Sequence, residues 1–212
     1  MKIIAASFEI LAATPDLEKV IELAGRTCYK SEDKITDDSA EAFVSKIRSA
    51  NHASVLEHGS ISVKFTVDRG VSHELVRHRV ASFSQESTRY ANYSKDKFGN
   101  EITVIDIRGG FPQISEQAYD DWLATCQYAE AKYLHMTGTG SKAQEARSVL
   151  PNSLKTEVVM TANPREWRHV IMLRSAEASH PQMREVMVPL AAEFARRWPA
   201  LFADLVQPRE ET

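Results

Sequence analysis

Residues 60–67 read Ser60-Ile61-Ser62-Val63-Lys64-Phe65-Thr66-Val67 and alternate strictly. Ile61, Val63, Phe65 and Val67 fall on one face, Ser62, Lys64 and Thr66 on the other. A period of two with one apolar face predicts a half-buried strand of an antiparallel sheet. Working outward, 52–58 reads as a loop whose polar side chains cap its neighbours, and 38–50 has helical spacing through Ala42, Phe43 and Ile47. Leu17, Val20, Ile21 and Ala24 predict a helix over 16–29, with Thr14 and Pro15 as cap and first residue. Residues 2–7 read as a strand, 70–80 as a helix, and a polar loop follows to about residue 94.

Further along, 101–107 and 153–162 read as strands. A long helix over 115–137 turns Tyr119, Trp122, Leu123, Cys126, Ala129, Tyr133 and Leu134 toward the core. Ser141 with Gln144 reads as a capping box for a short helix carrying Arg147. Asn163-Pro164-Arg165-Glu166 combines a cap, a proline at the first helical position and a glutamate at the third, opening a helix to Arg174. The last helical region, 181–205, contains Pro189 and Pro199, where a bend and a break are expected. Without regular βαβ alternation, this order predicts an α+β fold with a mostly antiparallel sheet flanked by helices, built as one domain over 1–212.

A chain of 212 residues with 43% hydrophobic and 26% charged side chains is ordinary for a globular protein. The formal net charge of −3 argues against a general nucleic-acid binder. Cys28 and Cys126 form no CxxC and suggest no disulfide framework, which fits a cytoplasmic protein. The apolar start is too short for a signal peptide, and no stretch reaches the ~18 apolar residues of a membrane span. GxGxxG and GxxxxGK[ST] are both missing from the sequence, so a bound nucleotide must be held by arginine and serine rather than by a glycine-rich turn.

The chemistry concentrates in residues 77–90, RHRVASFSQESTRY, which hold three arginines, one histidine, three serines and a threonine. Guanidinium forks match phosphate and carboxylate oxygens, and serine hydroxyls with backbone N–H groups complete an anion cradle. The plainer alternative is a solvated cationic helix end. Arg147 and Arg174 follow apolar helical faces and are expected to be partly buried, paired with a carboxylate or a ligand. Residues 52–58, HASVLEH, have the wrong spacing for a helical zinc site, and no metal is expected. Cys28 has no general base nearby in sequence, and Cys126 reads as packing. A rival reading is a single-stranded nucleic-acid module, with Arg77, Arg79 and Arg89 on phosphates and Phe83, Tyr90 and Tyr93 stacking on bases.

The stretch RHRVASFSQESTR fits R-H-R-x-x-S-x-x-x-x-S-x-R, and in this it resembles the flavin-dependent thymidylate synthases. HASVLEH, EARSVLP (145–151), NPRE (163–166) and LRSAEASHPQ (173–182) resemble further blocks of that family in the same order. The resemblance spans about residues 29–187. It implies a homotetramer that binds FAD and makes dTMP from dUMP. The methylene would come from 5,10-methylenetetrahydrofolate and reducing equivalents from NADPH, without a cysteine nucleophile. A flavoprotein of the same fold that lacks synthase activity is the remaining alternative.

By the same resemblance, His52, Ser54, Arg77, His78, Arg79, Gln85, Asn163, Pro164, Arg165 and His169 are flavin-contact positions. Glu74, Leu75, Val76, Arg77, Gln85, Glu86, Ser87, Thr88, Arg89, Arg147 and Arg174 are dUMP positions, with residues 85–89 wrapping the phosphate largely through backbone N–H. Arg174 would be the catalytic group, polarising the uracil ring. Glu74 stands where glutamine is common, His169 where asparagine is frequent, and Cys28 where a small hydroxyl residue is common.

Overall fold

The computed structural model describes residues 1–206. The end of the expected domain, 207–212, lies outside the described residues. Among the described residues, six strands and eight α-helices follow in chain order. They are β1 (Lys2–Ile4), β2 (Ser7–Ala13), α1 (Leu17–Tyr29), α2 (Ser39–Ser49), β3 (Ile61–Asp68), α3 (Arg69–Leu75), β4 (Ser82–Gln85), β5 (Thr103–Ile105), α4 (Glu116–Gly138), α5 (Ala143–Ala146), β6 (Lys155–Ala162), α6 (Pro164–Arg174), α7 (Pro181–Arg197) and α8 (Pro199–Phe202). A 3-10 helix over Ala53–Glu57 precedes β3 and another over Arg147–Val149 follows α5. β2, β3, β6 and β4 lie in that order in a four-stranded, mostly antiparallel sheet, while β1 and β5 pair in parallel with Lys2 opposite Thr103 and Ile4 opposite Ile105. The α+β class expected from the sequence is the one observed.

The alternation of β3 is realised: Ile61, Val63, Phe65 and Val67 are each fully buried. β6 behaves alike, with Thr156, Val158, Met160 and Ala162 inside. Backbone contacts divide the chain into two compact units. Unit 1 comprises Met1–Ser7, Phe65–Arg77 and Phe83–Val159, and unit 2 comprises Phe8–Lys64, His78–Ser82 and the chain from Met160 on. The core of unit 1 gathers Tyr93, Ile102, Val104, Cys126, Tyr133, Ala146 and Leu154. In unit 2, Trp167 of α6 is fully buried and its Nε1 donates to the Ile61 carbonyl at 2.9 Å. Phe194 meets Trp167 edge-on at 5.3 Å and packs against Phe202 at 5.0 Å, geometries that add to simple area burial.

Several local expectations are corrected. The first strand ends at Ile4, and β2 forms where no strand was read. α1 is preceded by Asp16 in a left-handed conformation with no side-chain cap; Thr14 Oγ1 instead accepts from Ser60 N at 3.0 Å. α3 stops at Leu75, so Arg77, His78 and Arg79 lie beyond the helix rather than on its last turn. β4 lies inside the stretch read as a loop. The cap of α5 falls one residue later than read: Glu145 Oε2 accepts from Lys142 N at 2.9 Å. The α6 start is as expected, with Asn163 Oδ1 accepting from Glu166 N at 2.9 Å and Pro164 at the first helical position. α7 contains Pro189 and ends at Arg197, and α8 starts at Pro199.

Candidate active site

In unit 1, the turn from β3 into α3 is fixed by Asp68, whose carboxylate accepts from Val71 N at 2.7 Å. Arg69 N donates to the Asn152 carbonyl at 3.0 Å. A Cβ on Gly70 would sit 2.7 Å from Asn152 Nδ2, so a side chain there would push the Asn152 amide aside. Gln85, closing β4, donates through Nε2 to Ser72 Oγ at 2.9 Å and Thr156 Oγ1 at 3.3 Å. A cavity of about 610 Å³ is lined by Arg69, His73, Thr88, Arg147, Ser148 and Asn152, among others. Arg147 Nη1 lies 3.4 Å from Thr88 Oγ1. Two arginines, a histidine and hydroxyls around one cavity form a donor set for a phosphate monoester. Arg69, His73 and Asn152 were not found from sequence. Asp68 before Arg69 is a type of residue that caps helices, a signal of local structure and not of a ligand.

The segment after β4 is held by its own network. Glu86 Oε1 accepts from Tyr93 Oη and Oε2 from Lys155 Nζ, both at 2.9 Å. The Glu86 N–H donates to the Glu157 carbonyl at 2.9 Å, so it is a sheet bond rather than a member of a phosphate cradle. Leu75 is fully buried, which makes its side chain core rather than contact surface. Val76 caps α3, and Glu74 is half-buried. Arg77 and Arg89 are exposed, Thr88 is buried and Ser87 half-buried. Arg147, expected to be partly buried, is exposed because it sits past the buried Ala146 on the 3-10 turn. Tyr93, one of the three rings of the nucleic-acid reading, is 4% exposed and packed on Phe98 and Tyr133, so it offers no stacking face.

In unit 2, His78 is 5% exposed. Its Nε2 receives a hydrogen bond from Arg174 Nε at 3.1 Å, and its Nδ1 lies 3.5 Å from Glu166 Oε1. The His169 ring stands edge-on to it at 5.7 Å. Burial, then the Arg174 charge, then His169 push the His78 pKa down to about 4, so the ring is neutral near pH 7 and free to accept. Arg174, expected to be partly buried, is half-buried at the end of α6.

Arg165 is exposed and ion-paired with Glu57, on the same 3-10 helix as Ser54. His52 and Ser54 are exposed, as is Arg79. His52 borders a cavity of about 660 Å³ shared with Arg26, Tyr29, Lys34, Phe43 and Lys46. Among the described residues, His78, Glu166 and His169 place one donor atom each within 4.8 Å of one another. The Arg174 guanidinium that donates to His78 would repel a cation bound there.

Of the positions expected to meet dUMP, all but Arg174 lie in unit 1, and of those expected to meet the flavin, all but Arg77 and Gln85 lie in unit 2. The chain passes from one unit to the other between Arg77 and His78.

Residues 9–200 match the family model described as thymidylate synthase complementing protein. The chain belongs to this family. A flavin-dependent thymidylate synthase of Geobacter sulfurreducens is 34% identical over 202 residues, which is 92% of this chain and 84% of that protein. Proteins of the same name from Mycobacterium avium and Mycobacterium tuberculosis H37Rv are each 33% identical, covering 87% of this chain and 78% of theirs. Thymidylate synthase X of Helicobacter pylori, solved with FAD and dUMP, shares the fold with a TM-score of 0.77 at 20% identity, covering 96% of this chain and all of that one. No helix among the described residues is long and apolar enough to cross a membrane.

The donor chemistry of unit 2 fits the family's flavin dinucleotide. Exposed Arg79, His52 and Ser54 supply cationic and hydroxyl donors. Ser179 Oγ, Gln182 Nε2 and Arg184 Nε are buried without a hydrogen-bond partner, and such donors are normally satisfied. Cys126 is 1% exposed and burial pushes its thiol up to about 11. Cys28 is exposed, with its Sγ turned back to the Ala24 carbonyl on its own helix.

Proposed function

We propose that this protein is a flavin-dependent thymidylate synthase. It converts dUMP to dTMP with 5,10-methylenetetrahydrofolate as carbon donor and NADPH as reductant through FAD, acting as a cytoplasmic homotetramer with the whole chain as one functional domain. The observation that carries the chemistry is the Arg174–His78 pair in a chain of this family: a fixed guanidinium on a neutral, buried imidazole.

Bound flavin supplies the two electrons that bring the transferred methylene to a methyl group. The chain's own residues bind and polarise. Arg69, Thr88 and Arg147 provide the phosphate donors. His52, Ser54, His78, Arg79, Asn163, Arg165 and His169 are the side chains assigned to the flavin. Methylating uracil at C5 needs electron density there, and negative charge then grows on the ring oxygens and N3. Arg174, always cationic, stabilises that charge as an oxyanion hole does. With no enzyme thiol to add to the ring, this electrostatic contribution has to be large.

The purified protein is expected to be yellow, to bleach with NADPH, and to release tritium from [5-³H]dUMP. Bleaching without tritium release identifies a flavoprotein that lacks synthase activity, and a colourless protein that shifts oligonucleotides overturns the proposal. Arg174→Ala is expected to keep its fold and flavin while turnover falls by ~10²–10³, equivalent to ~3–4 kcal/mol. Near-normal dTMP formation by that variant removes Arg174 from its role.

A further inference from the structure

Glu166 was read from sequence only as the third residue of a helix start, yet its side chain reaches His78. We propose that Glu166 is a positioning residue: it fixes the tautomer of His78 so that the imidazole holds the Arg174 guanidinium in place.

The argument rests on donor and acceptor inventory. A guanidinium nitrogen can only donate, and a neutral imidazole has one donor and one acceptor nitrogen. Arg174 Nε sits 3.1 Å from His78 Nε2, so Nε2 must be the acceptor and the ring proton must be on Nδ1. Nδ1 faces Glu166 Oε1 at 3.5 Å, and a carboxylate favours a proton on the nitrogen it faces. The opposite tautomer would set an N–H against the Arg174 N–H. Both side chains are largely withdrawn from water, with His78 at 4% and Glu166 at 12% exposure, so solvent does little to weaken the preference.

Glu166 is itself pinned. Its N–H donates to Asn163 Oδ1 at 2.9 Å, which fixes its place in the first turn of α6. Arg174 ends the same helix, about 12 Å further along the axis at 1.5 Å per residue. His78, from a distant part of the sequence, links the two ends of α6. His169, the third titratable group at the ring, meets it edge-on at 5.7 Å and is no hydrogen-bond partner in this arrangement. The catalytic consequence rests on the assignment of Arg174 above; the tautomer does not.

The test is long-range ¹H–¹⁵N correlation on protein with ¹⁵N-labelled histidine at neutral pH, with His78→Asn to assign the signal. The wild type is expected to show a protonated Nδ1 and a bare Nε2. Glu166→Ala is expected to move His78 toward the opposite tautomer, and Glu166→Gln, whose amide oxygen still accepts, to retain much of the native pattern. Turnover of Glu166→Ala is expected to fall roughly 10- to 100-fold, the scale on which lost orienting partners act at other sites. Its KM for dUMP and its flavin content should stay near wild type, with partial recovery in Glu166→Gln. A wild-type His78 protonated on Nε2, or an unchanged tautomer in Glu166→Ala, overturns the proposal. The wild-type measurement decides the matter even if Glu166→Ala does not fold. A protein that makes no dTMP but shows the expected tautomers refutes the enzymatic reading and leaves the positioning role standing.

Discussion

Replacing Tyr93 with phenylalanine removes one oxygen from the network that holds the segment after β4. The Tyr93 ring is 4% exposed and lies against Phe98 at 5.3 Å and Tyr133 at 5.7 Å. Phenylalanine keeps those contacts, so the cost isolates the hydroxyl. That hydroxyl donates to Glu86 Oε1 at 2.9 Å, and burial followed by the Glu86 charge raises its pKa, so it stays a neutral donor at any working pH. A hydrogen bond to a charged group contributes about 1.5–3 kcal/mol. Glu86 keeps its ion pair with Lys155, and its side chain is 17% exposed, so water recovers part of the loss. We therefore expect a cost of about 1.5–2 kcal/mol. At ~2–4 °C per kcal/mol for a chain of this size, Tm should fall by about 3–8 °C. The assay is thermal unfolding of ligand-free protein at matched concentration, since any assembly makes Tm concentration-dependent. Lys155→Met should be non-additive with Tyr93→Phe, because both act on one carboxylate. Tyr90→Phe, on a ring 78% exposed, should do nothing. A Tyr93→Phe Tm within about 1 °C of wild type would refute the reasoning.

Stability should also depend on His78. Its folded pKa is about 4 against an ordinary 6.5, so between those values the unfolded chain binds more protons. The contribution is level above pH 6.5, falls as pH drops from 6.5 toward 4, and is level again below. Its total is at most about 3.4 kcal/mol, and urea unfolding across that window should lose the corresponding slope in His78→Asn. Asn163→Ala removes the cap on Glu166 N and should cost about 1 kcal/mol, with Asn163→Asp close to wild type in thermal unfolding.

Legibility followed burial. β3 and β6, central in the order β2–β3–β6–β4, were read from sequence, while both missed strands are edges. A central strand carries its pattern because it is packed. An edge strand such as β4, Ser82–Gln85, shows mostly polar residues, and β2 leaves Leu11 46% exposed, which breaks the alternation. α3 was read too long because Leu75, Val76 and Val80 continue an apolar rhythm. In fact Arg77 N turns back to the Glu74 carbonyl at 3.3 Å and Val80 is 65% exposed. Asn163 and Pro164 were legible because a cap is a local event, complete within four residues.

The RHR motif falls where the chain passes between the two units. Of the fourteen residues 77–90, Arg77 belongs to unit 1, His78 and Arg79 to unit 2, and residues 83–90 again to unit 1. His78 is then the member whose role is least visible in the motif. It resembles a third cation between two arginines, and the fold makes it a buried neutral acceptor. Its partners, Glu166 and Arg174, lie some ninety residues on. No local pattern links them, because the link is one imidazole that must face a carboxylate on one nitrogen and a guanidinium on the other. That requirement also makes the motif's central residue hard to replace: lysine or arginine at 78 would keep the charge pattern of the sequence and abolish the acceptor that Arg174 Nε meets at 3.1 Å.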